Sequence, residues 1–173
     1  MTHSKLSLII FIFIMGALIG ACGYRFAEQG GFPGDNERLF VKILENRTQE
    51  TGVENIITAE LLSELTLRKT HHLAKDMADA DVVLSGVVKH VNIRTISVSQ
   101  PTVADERRVT VSIDLKLTDT EGKTVWVAQE ISDFEAYLVT LDPEITDANR
   151  RTAISVLSKR IAEKVVNRFS DDF

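Results

Sequence analysis

Cysteine is almost absent from this chain: Cys22 is the single one among 173 residues. One cysteine has no partner in its own chain, so an intramolecular disulfide is excluded. An excess of basic charge is also lacking, because 20 Lys and Arg stand against 25 Asp and Glu and the formal net charge is −5. Nucleic-acid-binding domains are usually basic, so this balance argues against a nucleic-acid partner.

Long apolar runs are missing too, except for one at the start of the chain. Residues 6–19 read LSLIIFIFIMGALI and carry no charge; Lys5 precedes them, and the small residues Gly20 and Ala21 follow. A basic start, a short apolar run and a small-residue cleavage site predict a signal peptide over residues 1–21. A transmembrane anchor is the alternative, but it needs about 20 apolar residues and does not explain why the small residues and the cysteine come together.

The four residues Ile19-Gly20-Ala21-Cys22 resemble the bacterial lipobox. In lipoproteins with this box the cysteine thiol is diacylated, the signal is cut just before it, and the new N-terminus is acylated as well. The small residues let a peptidase inside the membrane reach the backbone. Each buried methylene of an acyl chain contributes about 0.8 kcal/mol to membrane attachment. Cys22 is therefore predicted to be a lipid attachment site.

Residues 22–173, which remain after this cleavage, are enough for one domain. Their first part, residues 22–37, holds four glycines and a proline. This composition predicts a flexible tether between the lipid and the domain. Residues 38–173 are then expected to form the single domain.

Strict alternation of apolar and polar residues marks residues 107–119. Every second position is apolar: Val109, Val111, Ile113, Leu115 and Leu117. This pattern predicts a strand with one solvated face. Residues 119–122 predict a hairpin turn with a left-handed glycine, followed by a partner strand over residues 123–139. In the β segment over residues 81–98 the apolar residues change phase, which predicts a bulge or a bend, and the partner strand shows a change of phase as well.

Apolar residues recur at helical spacing in two segments. One stripe is Val53, Ile57, Leu61 and Leu65, and the other is Ile154, Leu157, Ile161 and Val165. They predict amphipathic helices over residues 53–69 and about 143–169, the second with Pro143 in its first turn. Short strands are expected at residues 38–45 and 71–76. The fold class is therefore α/β (α+β), with a mixed sheet of four to five strands and two amphipathic helices packed on one face.

The segments that look like catalytic or metal-binding motifs do not have the residue spacing that those motifs need. Gly122-Lys123-Thr124 ends like a phosphate-binding loop, but position 117 is Leu where that motif needs glycine, and a strand follows instead of a helix. His71 and His72 precede three aspartates, but adjacent residues of a strand face opposite sides of the sheet. With no G-x-S-x-G and no spare cysteine, the sequence predicts no enzyme, no metal site and no cofactor.

Basic side chains accompany the long strands. Those on or beside them are Arg94, Arg107, Arg108, Lys116 and Lys123. A basic cluster at one end of a sheet suits phosphates or acidic partners, because Arg and Lys form charge-assisted hydrogen bonds with such groups. The alternative is that these charges protect exposed strand edges from pairing with other chains.

Several segments together resemble the lipopolysaccharide-assembly lipoprotein family LptE. They are CGYRF directly after the lipobox, ENRT after the first strand, ADVVLSGVV, EGKTVW at the hairpin, and DANRR at the start of the last helix. The resemblance covers the mature chain in order. It implies an α/β domain that its lipid holds at the inner leaflet of the outer membrane, on the periplasmic side. Gly23 agrees with outer-membrane sorting, because the Asp that typically retains lipoproteins in the inner membrane is absent.

The resemblance also implies a partner and a ligand. Members of the family plug the outer-membrane β-barrel protein LptD, and the two together insert lipopolysaccharide into the outer leaflet. Such a protein is not a catalyst and contacts lipopolysaccharide through basic residues. No motif assigns those positions here, so Arg94, Arg107, Arg108 and Lys123 are candidates on charge alone. Residues 94–108 are expected to form the end of the domain that points into the barrel.

A second function class stays open at this point. The stretch ENRTQETGVENIITAELLSEL also resembles the opening of periplasmic lipoproteins that activate peptidoglycan synthases. Those proteins tend to have a long disordered tether that crosses the periplasm. Here the tether of about 15 residues reaches only some 50 Å when fully extended, which favours a partner in the same membrane.

Overall fold

The computed structural model describes residues 38–68, 72–97 and 105–172. The predicted signal peptide 1–21, the lipid site Cys22 and the tether 22–37 lie outside these residues.

The described chain folds into a mixed sheet with two helices, as the sequence predicts. In chain order the strands and α-helices are β1 (Arg38–Val41), β2 (Glu45–Asn46), α1 (Val53–Arg68), β3 (His72–Leu73), β4 (Val82–Ser97), β5 (Asp105–Asp119), β6 (Thr124–Val139) and α2 (Pro143–Asp172), with a short 3-10 helix (Met77–Asp79) between β3 and β4. The predicted strand over residues 38–45 is interrupted at residues 42–44. It therefore forms two short strands, β1 and β2, which pair with successive stretches of β4.

The sheet has the strand order β3-β1-β4-β5-β6, with β2 beside β4 as well. β1 runs parallel to β3 and to β4, whereas β4, β5 and β6 form an antiparallel meander. A helical crossover joins the parallel strands β1 and β3, and a tight turn joins β5 to β6. In that turn Gly122 has φ of 82°, and the Asp119 carboxylate accepts hydrogen bonds from the backbone N–H groups of Glu121 and Lys123.

Both helices cover the same face of the sheet. The buried residues are the alternating apolar set of β5, the α1 stripe Val53, Ile57, Leu61 and Leu65, and the α2 stripe Ile154, Leu157, Ile161 and Val165. Helix α1 begins at Val53, as predicted. Helix α2 begins at Pro143 because the Asp142 carboxylate accepts a hydrogen bond of 2.8 Å from the backbone N–H of Glu144. The other face of the sheet carries neither of these helices and is called the open face below.

Bulges interrupt β4 and β6, which confirms the predicted phase changes. In β4 the register shifts between Val88 and His90 and again between Thr95 and Ser97. In β6 it shifts beside Glu130, whose φ is 52°. The Asp114 carboxylate fixes the bulge at Glu130 by accepting a hydrogen bond of 2.7 Å from the Glu130 backbone N–H.

The β6 bulge decides which apolar residues enter the core. Before it Trp126 and Ala128 are buried, and after it Ile131 and Tyr137 are buried. Three further apolar residues of β6 lie on the open face, where Val127 is 52% exposed, Phe134 52% and Leu138 53%. A large part of the apolar surface of this strand therefore faces outward.

Candidate functional site

One end of the sheet combines cations with exposed apolar side chains. It lies where β4 ends, β5 begins and β6 ends. Its exposed residues are Ile93, Arg94, Ile96, Arg107, Arg108, Phe134, Leu138, Leu141 and Ile145. We call this set the distal tip. Exposed apolar groups rimmed by charges mark binding sites more often than scattered single residues do.

Strand register brings two arginines of the distal tip, Arg94 and Arg108, together on the open face, whereas the side chain of Arg107 lies on the other face of β5. Arg94 in β4 lies directly opposite Arg108 in β5, and Thr95 lies opposite Arg107. Like charges placed directly across a strand pair are destabilising by about 0.2–1 kcal/mol. Among the described residues, none of the three arginines forms an ion pair with a carboxylate. Arg94 and Arg108 therefore present two cationic groups on the open face, with the acidic Glu106 two positions before Arg108 on the same strand face.

An aromatic ring positions one of these arginines. The Arg108 guanidinium carbon lies 4.4 Å from the ring centroid of Phe134, a cation–π contact that contributes about 0.5–1 kcal/mol at an exposed site. Phe134 and Leu138 stand on the open face beside Arg108, on the neighbouring strand. A ligand with an anionic head and an apolar chain matches this arrangement, because the guanidinium groups bind the head and the exposed side chains cover the chain.

Helix α2 holds the β6 strand under this site. The largely buried carboxylate of Asp133 lies 3.2 Å from Arg160 Nε and 3.0 Å from Lys164 Nζ, and Arg160 also pairs with Glu135 at 2.7 Å. Burial raises the pKa of Asp133, but the hydrogen bonds from Arg160, Lys164 and the Phe134 backbone N–H outweigh it, so the pKa lies below its usual range. The ionised network ties Phe134 to the helix.

Lys123 does not lie with the three arginines. It sits in the β5–β6 turn, at the opposite end of the sheet, which we call the hairpin end. Arg108 and Asp119 are separated by 11 residues of strand, or roughly 35 Å at about 3.3 Å per residue. The expectation of one cluster is therefore corrected: Arg94 and Arg108 come together on the open face, Arg107 lies at the same end of the sheet but on the face that carries the helices, and Lys123 and Lys116 belong elsewhere.

The first residue of β1 also lies at the hairpin end. Leu39 pairs with Val82, and Val82 pairs with Asp119. The chain therefore enters the sheet beside the hairpin turn, at the end remote from the distal tip.

A groove of about 660 Å³ crosses the open face near the hairpin end. It runs between the β1–β2 segment and the first half of β6, with lining residues that include Lys42, Ile43, Val87, Lys116, Val127 and Gln129. Its acidic members are already paired, Glu45 with Arg47 at 2.9 Å and Asp114 with Lys89 at 3.1 Å. The groove residues Lys42 and Lys116 form no ion pair with any described residue, so the charge that the groove offers is cationic.

The histidines and aspartates that lie close together in the sequence are not assembled into a metal site. Among residues 38–68, 72–97 and 105–172, no group of three or more His, Cys, Asp or Glu is placed to hold an ion. His71 lies outside these ranges. Within the same ranges, neither helix has the length and apolar character needed to cross a membrane.

Sequence and structure comparisons agree with this description of the fold. A family model described as LptE, lipopolysaccharide-assembly, matches residues 37–169. No curated protein sequence matches the chain significantly.

Three solved lipoprotein structures have a similar fold. A putative lipoprotein from Caulobacter crescentus CB15 is 15% identical, covers 74% of this chain and 88% of its own, and superposes with a TM-score of 0.54. A minor lipoprotein from Acinetobacter baumannii is 12% identical, covers 79% and 92%, and gives 0.50. Rare lipoprotein B from Shewanella oneidensis is 14% identical, covers 77% and 95%, and also gives 0.50. At these identities the likeness shows a shared fold.

Proposed function

This chain belongs to the LptE lipopolysaccharide-assembly family, and we propose that it is an outer-membrane lipoprotein that plugs an LptD-like β-barrel and helps it place lipopolysaccharide in the outer leaflet. The observation that carries the proposal is the distal tip. Lipopolysaccharide has phosphates on its sugar head and several acyl chains. Arg94 and Arg108, which form no ion pair with any described residue, lie beside Phe134 and Leu138 on the open face and offer one contact for each kind of group.

The first strand of the domain and the distal tip lie at opposite ends of the sheet. In the proposal Cys22 carries the lipid after removal of residues 1–21, residues 22–37 form the tether, and residues 38–173 form the domain. The tether joins β1 at the hairpin end. With the lipid in the inner leaflet and a reach of some 50 Å, the domain stays near its membrane and its distal tip points away from the anchor, into the barrel.

The proposed role requires no catalytic step. The arginines would bind phosphates by charge-assisted hydrogen bonds, and the apolar residues would shield the start of the acyl chains from water. The domain would act by shape and charge alone, through contacts with the barrel wall and with lipopolysaccharide.

Photo-crosslinking from the distal tip tests this function. Leu138 is replaced by the photoreactive residue p-benzoylphenylalanine in the full-length protein, in cells. Leu67, which is 71% exposed on α1 and remote from the tip, is replaced in the same way as a matched control. We expect the Leu138 position to crosslink to lipopolysaccharide and to one large β-barrel protein, and the Leu67 position to give no lipopolysaccharide adduct.

The opposite result identifies the alternative. Crosslinks from Leu138 only to soluble periplasmic proteins would overturn the proposal. Crosslinks to a peptidoglycan synthase would support the activator class.

A further inference from the structure

The edge strand β6 is protected along one half only. From Ser132 to Leu138, side chains of α2 meet its outward backbone carbonyls. Lys164 Nζ donates to Ser132 O at 2.9 Å, Asn149 Nδ2 donates to Leu138 O at 3.0 Å, and Arg160 donates to Phe134 O. The outward N–H of Phe134 is also satisfied, because it donates to the Asp133 carboxylate at 2.7 Å. This half has few free groups to offer another strand.

The half before the bulge is open. Alternate residues of an edge strand direct both backbone groups outward, and the bonds from α2 mark the even-numbered residues of the protected half. The extra residue at the Glu130 bulge reverses the alternation, so Val127 and Gln129 point outward in the first half. In the described part of the chain, no side chain bonds to the backbone of either residue. Such a row of free groups fits one kind of occupant, an extended peptide backbone.

The groove on the open face adds a side-chain requirement. Val127 lines it and is 52% exposed, and Ile43 across the groove is 62% exposed. A strand added at the edge would project alternate side chains over Val127 into this space. Lys42 and Lys116, which form no ion pair with described residues, favour a peptide that carries acidic residues.

We propose that residues 23–27 of this same chain, Gly-Tyr-Arg-Phe-Ala, form that added strand on residues 124–129. Tyr24 and Phe26 are two residues apart, so in an extended conformation both face the groove. Their aromatic rings would cover Val127. The nearby acids Glu28, Asp35 and Glu37 supply the complementary charge.

The connection is long enough. Residues 28–37 lie between this strand and Arg38 and span at most about 35 Å. Arg38 is already at the hairpin end, and β1 is three strand spacings from β6, about 14 Å. Gly30 and Gly31 permit the reversal of direction that the path needs. An intramolecular segment also has an effective concentration in the millimolar range.

A second copy of the chain fits the edge less well. In a pair of β6 strands the Lys116 side chains, which lie on β5, would be three strand spacings apart, about 14 Å, so their repulsion is largely screened. The advantage of segment 23–27 over a second copy is its high intramolecular concentration. Its one cation, Arg25, faces away from Tyr24 and Phe26 in an extended strand and therefore away from the groove.

Docking would shorten the tether. It fixes Cys22 beside the hairpin end, so a lipid on that residue would hold the domain against the membrane in one orientation. Only residues outside the docked strand would then remain a flexible linker. The inference stands on the open edge and the groove and does not depend on a lipopolysaccharide ligand.

Hydrogen–deuterium exchange on the purified full-length protein in detergent tests the proposal. The double variant Tyr24→Ser, Phe26→Ser removes the aromatic contacts, and Phe32→Ser is the matched control because Phe32 lies outside the docked strand. We expect the backbone amides of Val127 and Gln129 to exchange at least about tenfold more slowly in wild type and F32S than in the double variant. Amides of central strand β5 should be alike in all three and report folding.

If the double variant is cleaved and lipidated poorly, a second variant tests the same proposal. Val127→Thr leaves the segment intact and removes only the apolar contact, and it should also speed exchange at Gln129. Equally fast exchange in wild type and variants would overturn the proposal, as would protection that rises with protein concentration, which would indicate a second copy.

Discussion

Arg94 and Arg108 lie directly opposite each other on β4 and β5, and Arg108 also covers the ring of Phe134 at 4.4 Å. A fold under selection for stability alone has no reason to place two unpaired guanidinium groups across from one another, since such pairs are destabilising. The repulsion disappears when an anion binds between them. The pair therefore lowers the stability of the free protein and favours the binding of an anion.

Neutralising one member of this pair should separate the two effects. For Arg94→Gln we expect the free energy of unfolding to rise by about 0.2–1 kcal/mol, because the like-charge contact is removed. Binding of lipopolysaccharide should weaken by about tenfold or more, because a hydrogen bond to a charged group contributes about 1.5–3 kcal/mol. Urea unfolding and a direct binding titration measure the two quantities.

Lys123→Gln is the control for charge in general. It removes the same charge at the hairpin end, roughly 35 Å away by strand length, and should leave lipopolysaccharide affinity unchanged. Equal loss of affinity in both variants would mean that net charge, and not the distal tip, determines binding.

Acid should weaken the protein through Asp133. Its pKa is lowered in the folded state, because the hydrogen bonds from Arg160 and Lys164 outweigh the opposing effect of burial. A carboxylate with a lowered pKa stabilises the fold above its unfolded pKa of about 3.9, and this contribution is lost as pH falls through the folded value. We therefore expect stability to drop steeply below about pH 4.

The variant Asp133→Asn isolates this contribution. It keeps the shape of the side chain but loses the ion pairs, so at pH 7 it should be about 1.5–3 kcal/mol less stable than wild type. Its stability should fall less steeply with acid, so that the two urea-unfolding curves converge towards about pH 3. Parallel pH profiles for the two proteins would show that another group dominates.

The strand over residues 107–119 is predictable from sequence because one face of β5 is buried along most of its length and the other is solvated. The helix stripes are predictable for the same reason. In β6 the neighbours Val125, Trp126, Val127 and Ala128 are all apolar, so their sequence does not say which pair enters the core. That choice depends on the Glu130 bulge and on the cross-strand bond that Asp114 makes to it.

The candidate site depends on register, which is a property of pairs of strands. Arg94 and Arg108 are 14 positions apart yet adjacent, whereas Arg108 and Lys123 are 15 positions apart and at opposite ends of the sheet. Separation along the sequence therefore does not show which of these two pairs is close in space. The contact of Arg108 with Phe134 likewise requires the β5–β6 register, although both residues fall in the outward phase of their strands.

Position 86 in β4 requires glycine because β5 and the loop between β1 and β2 come very close to the backbone there. A Cβ at this position would lie 2.4 Å from both the Asp114 backbone oxygen and Leu115 Cδ2, and 3.1 Å from Leu44 Cδ2. Since the backbone oxygen has no rotamer to change, we expect Gly86→Ala to destabilise the protein by at least about 1–3 kcal/mol, the usual range for overpacking. Thermal or urea unfolding measures the difference.

Gly122→Ala provides a comparison with a different cause. Nothing lies within 4 Å of the position that a Cβ would take there, but the φ of 82° disfavours any side chain, which costs about 1 kcal/mol. Gly86→Ala should therefore be the more harmful of the two. The reverse order would mean that β4 and β5 can separate at Gly86 without loss.

The cations of α2 that cover the β6 edge should keep the protein from associating with itself. Arg160 and Lys164 donate to the carbonyls of Phe134 and Ser132, so replacing both with Met frees two outward acceptors next to exposed Phe134. An unprotected edge with apolar neighbours is a template for strand pairing. We expect the double variant to form concentration-dependent dimers and larger species in sedimentation or light scattering, at concentrations where wild type does not.

Lys159→Met is the control for a simple gain of apolar surface. Lys159 is exposed on the same helix, and within the described ranges it makes no hydrogen bond to β6, unlike Arg160 and Lys164. It should behave like wild type. If it associated as strongly as the double variant, surface hydrophobicity would be the cause.

Hydrogen exchange in the assembled state tests whether the contact is strand pairing. If only the double variant associated, but its β6 amides exchanged freely, the contact would not be strand pairing, since paired N–H groups exchange slowly. Slow exchange confined to residues 132–138 is the result that the edge geometry requires.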